Sequence, residues 1–189
     1  MGYENYKILS YILSAPMVAL YVIIIFSFLS PIGLGYVDVF SSIIIGSIFL
    51  VLIPIGSVYY FNKKDLEVNK KEERVKLYLI SIVSYLTSSA IFWLLNSHVM
   101  FVISMAYVFV ASGVSVINIF WKISAHTAGV AGPTTALVYV FGTNLIPLYI
   151  LTFLTLGIRL KIKAHNVLQL VVGAIVAIFI TSLVYTILW

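Results

Sequence analysis

Two histidines, His126 and His165, are the groups best able to do chemistry in this chain, and each sits among cations. Around the first, Trp121 to Pro133 reads W-K-I-S-A-H-T-A-G-V-A-G-P and sets Lys122, Ser124 and His126 at alternate positions, followed by Gly129 and Gly132. Around the second stand Arg159 and Gln169, and a third cluster upstream holds Asp65, Lys71 and Arg74. Histidines beside several cations, with few carboxylates, are what phosphoryl chemistry needs. Cations neutralise phosphate oxygens and the charge that develops in the transition state. One histidine can attack phosphorus while the other protonates the leaving oxygen. Ser124, read as the start of a helix, adds an anion-binding end through the unpaired amides behind it. His165 and Gln169 are four positions apart, which predicts one shared helix face where the amide oxygen accepts from the ring and fixes its tautomer.

The elements that must position these groups follow from composition. Of 189 residues 62% are hydrophobic and 9% charged, and mean hydropathy is +1.15. Such a chain is an integral membrane protein rather than a soluble globule. There is no cysteine, so disulfides and thiolate sites are absent. No G-x4-G-K-[ST], H-E-x2-H or paired D-x3-D pattern occurs, which argues against a nucleotide hydrolase, a zinc protease and a magnesium-dependent prenyltransferase. Nothing points to nucleic acid. The first apolar stretch is long for a signal peptide and lacks a cleavage signature, so it is expected to be retained.

A helix needs about 20 apolar residues to cross the bilayer, with about 17 as the lower limit. Spans are expected at Ser10 to Ser30, Val39 to Phe61 with a bend near Pro54 and Gly56, Leu77 to Leu95, Val99 to Phe120, Thr127 to Gly142, Leu145 to Ile158, and His165 to Leu188. The segment Asn62 to Lys76 reads as a charged surface loop or interfacial turn. The stretches Thr127 to Gly142 and Leu145 to Ile158, parted by Thr143-Asn144, read as a tight hairpin of two short spans, because one long helix would pass through Pro133, Gly142, Asn144 and Pro147. The fold class expected is all-α, a polytopic transmembrane bundle of seven spans, with six as the runner-up. Residues 1–61 form an N-terminal two-span hairpin and 62–189 a helical core with three motif segments at one membrane face, together one integrated domain.

With seven spans every Lys and Arg falls on one face. The positive-inside rule makes that face cytoplasmic, in the cell membrane. Setting aside Lys71, Arg74, Lys122 and Arg159 as site cations still leaves Lys7, Lys63, Lys64, Lys70, Lys76, Lys161 and Lys163 there, so the orientation does not depend on the site.

The residues resemble a known family. S-A-H-T-A-G at Ser124 to Gly129 looks like the second motif, P-S-G-H, of the type 2 phosphatidic acid phosphatase superfamily. Arg159-x5-His165-x3-Gln169 looks like its third, S-R-x5-H-x3-D. The first, K-x6-R-P, is matched loosely by D-x5-K-x2-R from Asp65 to Arg74, with Val75 in place of proline, as in a divergent, archaeal-type branch. The resemblance covers roughly Asp65 to the carboxyl end. It implies a phosphatase-like core without metal or other cofactor, in which His165 is the nucleophile that becomes phosphohistidine and His126 the general acid. Arg74, Arg159, Lys122, Ser124, the backbone of Ala125 and a lysine such as Lys71 would hold the phosphate. Ala125 stands where the family has glycine. Gln169 replaces an aspartate, and an amide orients the ring but supplies little charge stabilisation; Asp65 could compensate.

The expected function is a metal-independent membrane phosphatase acting on a lipid phosphate or diphosphate monoester, a polyprenyl (di)phosphate or a phosphatidate-like lipid. The alternative is a lipid-phosphate binding or transport protein that keeps the anion pocket without cleaving. An ion or solute transporter is weaker, since the charges map to span ends. Read without chemistry, His98 is an interfacial residue, Lys63, Lys64, Lys70, Lys76, Lys161 and Lys163 are a solvated headgroup-facing set, and Gly129, Ala131 and Gly132 permit close helix packing.

Overall fold

The computed structural model describes residues 3–61 and 71–189. Among these the chain is helical, with no strand. Five helical segments are long and apolar enough to cross a membrane: Val39–Phe61, Arg74–Leu94, His98–Phe120, Thr143–Lys161 and Val167–Leu188. A sixth is added if the bent pair Glu4–Ile12 and Ala15–Leu29 crosses as one span.

The expected first span is two helices. α1 (Tyr3–Ile12) stops, the chain turns through Leu13 and Ser14, and α2 (Ala15–Leu29) leaves at a bend of 41°. Pro16 is the reason: it has no N–H for the Ile12 carbonyl and its ring collides with that group, whereas in the first turn of α2 both defects are harmless. Ser10 therefore belongs to α1, ahead of the break.

α3 (Val39–Gly46) is capped by Asp38, whose carboxylate accepts from the Ser41 N–H at 3.0 Å. It passes through a π-helical stretch, Ser47–Leu52, into α4 (Ile53–Phe61). The ladder widens just ahead of Pro54, with Ile53 N–H donating to Ile48 five residues back. The wider turn absorbs the proline, so Val39–Phe61 runs on as one helical segment without interruption. α5 (Lys71–Leu94) starts earlier than the expected third span: residues 71–76 are helix rather than loop.

α5 and α6 (His98–Phe120) form a hairpin turned by Asn96 in the left-handed conformation, φ 54°. α7 (Ala125–Phe141) ends at Gly142, φ 98°, and after a 3₁₀ stretch, Thr143–Tyr149, α8 (Ile150–Lys161) runs back along it. The Thr135 and Tyr149 hydroxyls meet at 2.7 Å near that turn. α9 (Val167–Leu188) closes the bundle.

α7 is the central helix, with α2, α6, α8 and α9 around it. Residues 130–137 are all buried, and close approach is possible because the side chains are small. A Cβ on Gly129 would collide with Ala15, and one on Gly132 would stand 3.1 Å from the Thr181 hydroxyl. Large apolar side chains such as Val83, Trp93, Phe153 and Phe179 face outward, whereas Ser27–Ser42 and Ser88–Ser104 pair inside at 3.0 Å. Apolar outside and hydroxyl-paired inside is the arrangement lipid demands.

Candidate functional site

A cavity of about 370 Å³ opens at the end of the bundle where α5, α7 and α9 begin and α4, α6 and α8 finish. Arg74, Lys122, Ala125, His126, Arg159 and His165 all line it. They come from four places: the first turns of α5, the α6–α7 link with the start of α7, the last turn of α8, and the loop before α9.

The two histidine segments are fastened to each other. Ser124 caps α7, its hydroxyl accepting from the Thr127 N–H at 3.3 Å. Its own N–H donates to the Gln169 carbonyl at 3.0 Å, and the Thr127 hydroxyl donates to the Leu170 carbonyl at 2.9 Å. Gly173 permits the contact, because a Cβ there would stand 2.6 Å from the Ser124 carbonyl oxygen. Ser124 is fully buried and does not line the cavity, so the structure places it behind the site as a cap. The residues of that helix start that reach the cavity are Ala125 and His126.

His165 precedes α9 rather than lying on it, which corrects the expected start of the last span. Asn166 is the cap, its side chain accepting from the Gln169 N–H at 2.9 Å, while the Gln169 Oε1 accepts from the Asn166 N–H at 3.1 Å. This capping box holds Gln169 still. The same Oε1 lies 3.2 Å from His165 Nδ1. Since the Asn166 N–H needs an oxygen, Nδ1 must be the ring's donor, and Nε2 carries the free lone pair. The expected histidine–glutamine bond is therefore present, set by capping geometry and not by a shared helix face.

Burial pushes the His165 pKa down to about 4, aided by Arg159, Lys122 and Arg74 and opposed by the Gln169 bond. Its ring is neutral near pH 7, the form that can attack phosphorus. Arg74 Nη1 donates to Asn118 Oδ1 at 3.3 Å, and Asn118 Nδ2 donates to the Val114 carbonyl at 2.8 Å, which fixes the amide's orientation toward the arginine. Arg159, 3% exposed, donates from Nη1 to the Ser10 hydroxyl at 3.1 Å.

Asp65 lies outside the described residues, as does the side chain of Lys71 at the head of α5. His98 is at the other end of α6, stacked on Trp189 with centroids 5.8 Å apart. Among the described residues no three His, Asp or Glu side chains gather to hold a metal. Sequence reasoning missed Asn118, Tyr78 and the α1 face bearing Lys7, Ser10 and Tyr11. A lone asparagine in an apolar helix was a signal for the first; the polar spacing Lys7-x2-Ser10 ahead of Pro16 was a signal for the last.

An apolar chamber of about 110 Å³ adjoins the cavity, sharing Tyr78, Ser81 and Ala125, and runs inward past Gly129 and Gly132. Compared with known proteins, the chain matches no family model, no curated protein and no solved structure.

Proposed function

We propose that this chain is an integral membrane phosphatase that cleaves a phosphate or diphosphate monoester of a membrane lipid, with chemistry like that of the type 2 phosphatidic acid phosphatases. The observation that carries the reading is the gathering of His126, His165, Arg74, Lys122 and Arg159 on one cavity, drawn from segments far apart in sequence. Arg74, Lys122, Arg159 and the Ala125 amide receive the phosphoryl oxygens. His165 Nε2 forms a bond to phosphorus as the bond from phosphorus to the lipid oxygen breaks, and His126 gives that oxygen a proton. Water then attacks the phosphohistidine, with His126 taking its proton, and phosphate and neutral His165 are released. The lipid tail leaves between helices, its first carbons against the apolar chamber.

In the bilayer this reading takes α2, the α3–α4 segment, α5, α6, α7, the segment through α8, and α9 as seven crossings, with the cavity on the cytoplasmic face. The described loops at the opposite end, 30–38, 95–97 and 142–144, carry no Lys or Arg. That asymmetry supports the orientation.

A non-catalytic lipid-phosphate binder is the second reading. Gln169 favours it, because an amide committed to a capping box lends His165 no negative charge. The deciding experiment is phosphate release from phosphatidate and from farnesyl diphosphate in detergent micelles with chelator present. The phosphatase reading expects release that His165→Ala abolishes; release unchanged in that variant would sink it. The binder reading expects phosphatidate binding without turnover, lost in Arg74→Ala and Arg159→Ala.

A further inference from the structure

The expected N-terminal hairpin had no part in the chemistry, yet α1 lies along α8 and supplies one wall of the cavity through Lys7, Ser10 and Tyr11. The Pro16 break makes this possible: a straight helix from Ser10 to Ser30 would carry α1 away along the α2 axis, whereas the 41° bend lays it beside the end of α8. Ser10 is 5% exposed and Arg159 3%, and they meet at 3.1 Å although 149 positions separate them. The guanidinium has only donors, so the Ser10 oxygen accepts. A hydroxyl that accepts keeps its own proton for another partner, and Ser10 borders the space where an anion would sit.

We infer that Ser10 is a phosphate-binding and arginine-positioning residue: its oxygen holds Arg159 Nη1 at the cavity wall, and its O–H donates to a phosphoryl oxygen of the bound group. Linked donors of this kind polarise one another, Arg159 strengthening the serine as a donor. α1 thus completes the anion site that the core helices begin. The inference rests on the anion-binding reading of the cavity.

The test is binding of two probes, inorganic phosphate and phosphatidate in mixed detergent micelles, to the purified full chain by calorimetry. Ser10→Ala is expected to weaken both by about tenfold, the order of one hydrogen bond to a charged group, and Ser10→Thr to stay within about twofold because the hydroxyl returns. Alanine is the best helix former, so the loss is not a melted α1. In Ser10→Ala/Arg159→Ala the loss should exceed that of Arg159→Ala alone, because the serine's own bond to phosphate goes too, yet fall short of the sum of the two single losses, since the two groups act as one network; additive losses, which a general packing role would give, overturn the inference. Undiminished binding by Ser10→Ala, where Arg159→Ala has lost it, overturns the inference and leaves the anion site standing. Weakening toward micellar phosphatidate alone would assign α1 to the tail and overturn it too. If the wild-type chain binds neither probe, the reading of the cavity falls and the inference with it.

Discussion

The Ser124 N–H donates to the Gln169 carbonyl at 3.0 Å, so the first turns of α7 and α9 are tied by backbone and the two histidine segments keep a fixed spacing. The tie depends on Gly173, which leaves room for the Ser124 carbonyl. Gly173→Ala is expected to push the helix starts apart and destabilise the protein by about 1–3 kcal/mol, the usual cost of overpacking. Gly56→Ala, where an added Cβ meets nothing within 4 Å, is the control. Thermal unfolding in detergent separates the two; equal midpoints would show that the α7–α9 contact tolerates a methyl group.

Gln169→Glu keeps the capping box, which accepts Glu as readily as Gln, and adds a negative charge at a helix start, itself favourable by about 0.3–1 kcal/mol. The carboxylate would stabilise a charged His165. Turnover is expected to rise by about 10²-fold, inside the ~10⁴-fold that the converse aspartate-to-asparagine change removes in serine proteases. Steady-state phosphate release measures it. A rise absent in Gln169→Glu would mean that charge beside His165 is not what limits the reaction.

The depressed pKa of His165 has a sign that can be read. Its ring stays neutral in the folded protein down to about pH 4, while in the unfolded chain it takes a proton near 6.5. Stability from this group is therefore full above 6.5 and is lost as pH falls toward 4. Acylation of neutral imidazole by diethyl pyrocarbonate, followed at His165 by mass spectrometry, should stay flat until well below pH 6.5, with its midpoint near 4. A midpoint at the ordinary histidine value would contradict the burial of the ring among cations.

Sidedness is testable because the chain has no cysteine of its own. Lys161→Cys, beside the cavity, should react with a membrane-impermeant maleimide only in inverted vesicles, and Tyr36→Cys, 79% exposed at the opposite end, only in intact cells. The reverse pattern would turn the cavity outward.

Much of the architecture was legible in the order of residues. Apolar runs bounded by Ser-Pro, Asn-Ser and Gly-Thr-Asn mark helices and their ends, because lipid leaves the backbone no other way to satisfy its polar groups. Pro16 and Pro54 show where local pattern is insufficient. Both interrupt apolar runs, yet one separates two helices and the other is absorbed by a π-helical stretch. The difference lies in what each flank packs against: α1 has α8 to lie on, and the π stretch stays packed on α2 and α5.

The sequence by itself determined that the chain is helical and apolar enough to span a membrane, and it singled out His126, His165 and the cations near them as the candidate site. Those properties depend on composition and on patterns a few residues long. Only the tertiary structure decided that Ser124 is a cap behind the site, that Gln169 reaches His165 through the Asn166 capping box, and that Ser10 stands against Arg159. Each of these depends on which helix ends meet. That is settled by where glycine and alanine let backbones approach, a packing relation between residues as far apart as 149 positions that no local pattern encodes.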